Sequence, residues 1–383
     1  MAILGRVVLV GLLVGAVALM AGCVSSGATA PVSEPAFFPP PPDTPRLQFL
    51  LAIGSDADLP GATSSFAATL LGEEERRELM RPRGIDVYGG VIYISDSSQH
   101  TVIKIDLAAG SFEHINDQGS GKLASPSGLA LAEDGTLYVA DVKRHEIVVF
   151  APGDQHFLYT MGDPETSHPT DVAVAGDKLY VTDVLDHEIE VYDRISKKLI
   201  NNLGGPGEEP GRFRYPTFLD LGPNGDLYVC DALNSRVQQL RPDGTPVASY
   251  GEAGDWHGDL PRPKGVAVDS RGRVHVLDAA FENAQIFLPD GRPATAYGGY
   301  GNFVGHMYLP FGIHLDTSLM PLFRDRVDPR LKPLYLVLVT NQAGPEKLNI
   351  YVFGDPKPGA AWTHAGGEAG PGKSAGGGSE TGQ

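Results

Sequence analysis

Several side chains in this sequence are of types that ligate metals, move protons or hold anions. His100, His145 and His187 each stand four positions after an aspartate (Asp96, Asp141, Asp183). Imidazoles hold zinc only when their nitrogens converge to about 2 Å from one point. His145-Glu146 and His187-Glu188 begin the zinc-protease pattern, but Val149 and Val191 stand where its second histidine belongs. His168, Asp171 and His314, together with Asp86 and Asp220, are a second set suited to a metal ion or an acid/base cluster. Arg83 and Lys264 could receive an anion. Residues 367–374 match the phosphate-loop pattern, but such a loop needs a strand before it and a helix after it. Its flanks here are Gly- and Ala-rich, so no nucleotide site is expected. What the other groups can do depends on the elements that carry them.

Those elements are short strands. Residues 125–150 read as three of them, with a turn at Glu133-Asp134-Gly135 and a stop at Asp141. The same arrangement is written along the whole chain. Pro82, Pro126, Pro169, Pro216, Pro263 and Pro310 open successive units, at intervals of 44, 43, 47, 47 and 47 residues. Gly84, Gly128, Gly265 and Gly312 follow two positions later; Asp171 and Phe218 replace the glycine in the middle units. Asp96, Asp141, Asp183, Asp231 and Asp278 end the second strands, and Asn341 takes that place in the sixth unit. Such an aspartate can bond the amides of the following turn. The glycines suit positive φ or close backbone approach. Nine residues after each aspartate comes an apolar residue: Ile105, Phe150, Tyr192, Leu240 and Phe287. A fourth apolar run completes five units, and the sixth finds its own at the N-terminus, in 47–54. Six units of four antiparallel strands, with the first strand of the chain completing the last unit, predict an all-β six-bladed β-propeller.

The phrases Pro-x-Gly-apolar-Ala-apolar, Leu-Tyr-Val-x-Asp and Asn-x-Arg-Val resemble NHL repeats, most closely in Asp231-Ala-Leu-Asn234-Ser-Arg236-Val237-Gln238. LDAAFENAQIF and the following GRPATAYGG resemble bacterial exported six-bladed NHL lipoproteins. The resemblance covers roughly 47–354 and departs at Asp171, Phe218, Asn341 and the long turn of blade six. It is specific for fold and weak for function, because propellers host many activities.

The fold sorts the candidates. Matching positions on neighbouring blades lie about 10 Å apart, so His100, His145 and His187 cannot share a metal and read as turn residues. His168 to Val174 resembles a segment of the peptide-amidating lyases, which are NHL propellers using channel histidines and a metal. That resemblance keeps His168, Asp171 and His314 as candidates for a channel ion, although no residue is assigned a catalytic role. No match to the metal carboxylates of gluconolactonase-like propellers is found. The residues after the prolines, Arg83, Ser127, Thr170, Thr217, Lys264 and Phe311, should stand at the channel mouth. The two cations there could take an anion, or be solvated or paired with nearby acids. The loops 204–216, 251–263 and 298–310 should share that face. They concentrate Trp256, His257, Tyr300, Phe303, His306 and Tyr308, which would bind a partner or fold back over blade edges. The insertion 316–332, with Leu319, Met320, Leu322 and Phe323 beside Arg324 and Arg326, should project from the opposite face, as a contact surface or packed beneath the disc.

The ends of the chain set its expected place. Arg6 precedes an apolar run over 7–21 that ends Leu19-Met20-Ala21-Gly22-Cys23. This resembles a bacterial lipoprotein signal, which implies cleavage after 22 and lipidation of Cys23. Val24 following it favours the outer membrane. Residues 23–45, with their proline tract, read as a tether, 46–355 as the propeller and 356–383 as a disordered Gly/Ala-rich tail. Cys230 is then the one thiol left, expected to be buried and inert, with no disulfide and no c-type haem motif. A formal net charge of −17 argues against nucleic acid. The sequence thus reads as an exported, lipid-anchored propeller that binds a protein or peptide in the cell envelope, conceivably beside redox complexes. A channel-metal lyase or hydrolase, and a glycan or small-molecule binder, are the alternatives.

Overall fold

The computed structural model describes residues 35–59, 77–115, 119–301 and 303–362. The stretch read as a signal segment, Cys23, the expected tether up to 34, the expected tail from 363 and the phosphate-loop match lie outside those residues. Beyond an N-terminal unit ending at Pro35, one unit runs from Ala36.

Each blade-opening proline starts an innermost strand: Pro82–Tyr88, Pro126–Leu131, Pro169–Ala175, Pro216–Leu221, Pro263–Val268 and Pro310–Asp316. In blades I to V three antiparallel strands follow in sequence order. Blade VI runs Pro310–Asp316, Leu331–Asn341, Leu348–Pro356 and then Leu47–Ile53, with Leu47 opposite Phe353 and Ile53 opposite Leu348. The N-terminal strand therefore completes the last blade, as expected. All six innermost strands carry a register shift just after their proline, for instance between Pro82 and Ile85. A bulge there re-aims the side chains that follow.

The strand-ending aspartates are fully buried and do more than cap the turn ahead. Asp141 accepts the N–H groups of Lys143 and Arg144 after it and those of Ala124 and Ser125 before the proline. Asp96 makes the same four kinds of bond. One carboxylate thus ties the loop entering a blade to the turn leaving its second strand, which puts both on one face. The glycine two places after the proline is a close-approach residue. A Cβ on Gly84 would lie 2.6 Å from the Ser127 carbonyl oxygen of the next blade. Four residues after each aspartate the chain turns through the left-handed region, at His100, His145, His187, Ser235 and Glu282. The three histidines therefore share a backbone corner, consistent with turn residues.

Apolar side chains of adjacent blades interdigitate to form the core between them, as Ile103 and Leu129 do in the walls on either side of blade I. The blade-six insertion packs down: Phe323 of the 3-10 segment Met320–Arg326 and Leu319 just before it are buried with Ile85, Ile92, Leu336 and Ile350. Leu322 stays exposed. The fold also reaches past both expected boundaries. Phe37–Phe38, within the stretch read as tether, forms a short strand on Leu47–Ile53. Trp362, within the stretch read as tail, is buried edge-on against Phe37 at 5.1 Å.

Candidate functional site

The innermost strands enclose a cavity of about 330 Å³. Asp86, Asp220 and His314, each four places after a blade-opening proline, line it together with Asp171, which stands in a glycine position. The rest of the wall is largely apolar, including Leu131, Val172 and Leu315. His314 Nδ1 lies 3.3 Å from Asp86 Oδ1. The carboxylates also join blades: Asp86 accepts the Leu131 N–H at 2.7 Å, Asp171 that of Leu219 at 3.0 Å, and Asp220 that of Val268 at 2.7 Å. Burial disfavours their charged forms. It raises Asp86, against the pull of His314, and raises Asp171 well above the carboxylate range. Asp220 is pushed up to about 6, chiefly by burial. A protonated carboxyl near a carboxylate–imidazole pair can give and take protons.

Asp171 and His314 thus share the channel, but His168 does not join them. It precedes its strand, so it sits at a blade joint: its N–H donates to Asp183 Oδ2 at 2.6 Å and its ring faces His145, with centroids 4.7 Å apart. Among the described residues no three His, Cys, Asp or Glu side chains are grouped so as to hold a metal ion.

At the mouth, the six candidates divide. Ser127 and Thr217 are buried in the wall, and Thr170 donates to the Thr217 carbonyl at 2.9 Å. Arg83 and Lys264 are half-buried and flank Phe311, 5.4 and 5.7 Å from its ring centroid. Phe311 packs edge-on to Phe218, which reaches the cavity wall. Cys230 is buried, and burial pushes its thiol well up, as expected of an inert group.

The loop aromatics also divide. Trp256 and Tyr300 are each 83% exposed, and His257 and Phe303 are exposed too. The Trp256 loop is pinned from below: Trp256 N–H donates to Asp259 Oδ2 at 2.7 Å and Gly258 N–H to Gln285 at 2.8 Å. His306 is buried and Tyr308 half-buried, ring against ring at 4.2 Å. Those two fold back onto blade VI, where the His306 carbonyl accepts from Asn349.

One buried group was not anticipated. His275 sits between Tyr297 and Tyr335 at 3.1 and 3.0 Å, and Tyr335 donates to Asp269, which also binds Arg273. Burial lowers His275 to about 3, so the imidazole is neutral. The signal was visible: Tyr93, Tyr138, Tyr180 and Tyr228 hold the corresponding place in blades I to IV.

Six four-stranded blades around a lined channel define a six-bladed β-propeller. The NHL repeat profile matches residues 123–150 and 213–240, and these two matches together with the six blades support the NHL-repeat propeller family. Its fold is similar to that of a gluconolactonase from Xanthomonas campestris, at TM-score 0.53 and 16% identity over 80% of this chain and 98% of that one. It is also similar to a protein of unknown function from Bacteroides thetaiotaomicron, at TM-score 0.54 and 15% identity over 81% and 76%. A streptogramin B lyase matches at TM-score 0.50 and 12% identity, over 70% and 82%. At these identities the likeness is one of fold.

Proposed function

We propose that this protein is an extracytoplasmic docking propeller of the cell envelope. In this reading it is lipidated at Cys23, held at the outer membrane and engaged with a protein or peptide partner through its loop-rich face. The observation that carries it is the pair Trp256 and Tyr300. Each is 83% exposed on a loop anchored to a rigid blade. Large rigid aromatics held bare in this way are what binding hot spots are made of. The test is capture from native envelope by the wild type and by the Trp256→Ala, Tyr300→Ala double variant, with mass spectrometry of the mature N-terminus. A partner retained equally by both proteins would sink the reading. Glycan binding by the same loops is checked by glycan arrays with the same pair.

The cavity supports a second reading, a lyase or hydrolase. Asp86 and His314, 3.3 Å apart in the channel cavity, form an acid/base pair. Similar folds carry a gluconolactonase and a streptogramin B lyase, so lactones are the first substrates to try. Turnover abolished by His314→Gln would favour this reading, and elemental analysis of the purified protein would count any channel metal.

A further inference from the structure

Arg83 and Lys264 break the charge pattern of the molecule. The chain carries a formal net charge of −17, and nearly every other half-buried arginine has a carboxylate within reach: Arg144 with Glu146, Arg194 with Asp134, Arg236 with Asp231, Arg273 with Asp269. Neither Arg83 nor Lys264 makes an ion pair or side-chain hydrogen bond among the described residues. Asp278, the carboxylate whose charge acts on Lys264, is no substitute. Asp278 spends its oxygens on the N–H groups of Arg262, Ala280 and Phe281. Arg83 Nε is buried without a partner, and so is the Thr217 hydroxyl, on a residue only 6% exposed. Burial lowers both cations' affinity for their protons, and the neighbouring Arg81 and Arg262 add to it. Two cations gathered at one mouth, with donors unused around them, leave a charge that the fold itself does not neutralise.

We propose that Arg83, Lys264 and Phe311 form a binding site for a carboxylate attached to an apolar group. The planar guanidinium of Arg83 and the Lys264 ammonium supply charged donors for the two carboxylate oxygens. Phe311, between them, supplies an apolar ring for the rest of the ligand. A phosphate fits less well, because its further oxygens would meet that ring. The carboxylate has two sources, a free small molecule or the C-terminus of a peptide chain. The site does not depend on the loop face binding anything.

The experiment titrates full-length protein in detergent with benzoate, with Gly-Phe, with Gly-Phe amide and with inorganic phosphate, by calorimetry and thermal shift. Benzoate is expected to saturate and to raise the melting temperature in proportion to its binding. Arg83→Gln and Lys264→Gln should each weaken it by roughly tenfold, and Arg83→Lys by less. Without ligand the Gln variants should melt no lower than the wild type, since they remove an unpaired charge. Gly-Phe bound more tightly than benzoate, with the amide inactive, assigns a chain terminus; the opposite order assigns a small carboxylate. No binding of benzoate or Gly-Phe up to about 10 mM, equal binding by wild type and Gln variants, or phosphate preferred to both carboxylates would overturn the proposal.

Discussion

Thr340 Oγ1 donates to the carbonyl oxygen of Arg83 at 2.6 Å, across 257 residues of chain, and so ties the last blade to the first. The same hydroxyl accepts the Gly312 N–H at 2.9 Å. Ser95 bonds the Ser127 carbonyl and Thr182 the Thr217 carbonyl in the same way. Ala140, Cys230 and Leu277 hold that place at the other three joints. The ring thus mixes joints with and without a hydroxyl staple at this position.

Thr340→Val keeps the shape of the side chain but strands a buried N–H and a carbonyl. It should cost about 2 kcal/mol of stability, while Thr340→Ser should cost less than half of that. Thermal melts of the two variants decide it. A loss in Thr340→Ser as large as that in Thr340→Val would mean that the methyl group matters as much as the hydroxyl.

Asp141 accepts four backbone N–H groups from two separate segments. Asp141→Asn turns one acceptor into a donor facing donors, and should cost on the order of 3 kcal/mol. The reverse change in blade VI, Asn341→Asp, loses the bond from Nδ2 to the Glu346 carbonyl and should also destabilise. Urea unfolding of both variants is the measurement, and a neutral Asp141→Asn would refute the stapling role.

Stability should fall as pH rises from 5 to 8. Burial pushes Asp220 up to about 6 and Glu190 to about 7, against about 4 in the unfolded chain. Between those values the folded state holds protons that the unfolded state has released, so stability is fully present below about 4 and is lost through 6 and 7. Asp220→Asn and Glu190→Gln should each flatten the profile, by on the order of 2 kcal/mol over that range. Melting curves across the pH range that run parallel for wild type and variants would contradict this.

Trp256→Ala and Tyr300→Ala should leave the melting temperature within the error of a surface change, about 0.5 kcal/mol. Tyr308→Ala, which strips a ring from buried His306, should cost about 2 kcal/mol. Calorimetric scans separate the two groups, and a large loss at Trp256 would show it to be structural.

The blades were legible because each repeats one proline, one aspartate and one apolar residue at nearly fixed spacing, and the ring closes only if 47–53 joins the last of them. The channel was legible in part. Asp86, Asp171, Asp220 and His314 were identifiable as first-strand residues, but the bulge after each proline decides which of them face inward, and nothing in the residue types marks that shift. His168 was misplaced in the metal set for a related reason, since one position before the proline is already outside the strand. His306 and Trp256 occupy similar loops, yet one is buried and the other bare, because that outcome turns on Asn349 and Tyr351 of a distant segment, which donate to the His306 and Gly305 carbonyls. Phe37, Phe38 and Trp362 lie in stretches whose composition reads as tether and tail, and three buried rings outweigh it.

The contact between Phe37 and Trp362 brings both ends of the described chain to the same blade, and Arg330, lying over both rings, clasps them together. Among the described residues, five of the six sectors then carry neither of these two ends. The order of the blades is circular in all but one place. A permuted chain, joined from 37 to 362 through a short linker and opened in the loop between blades III and IV, would preserve every strand pair. It would only move the seam, and with it the point at which fraying begins.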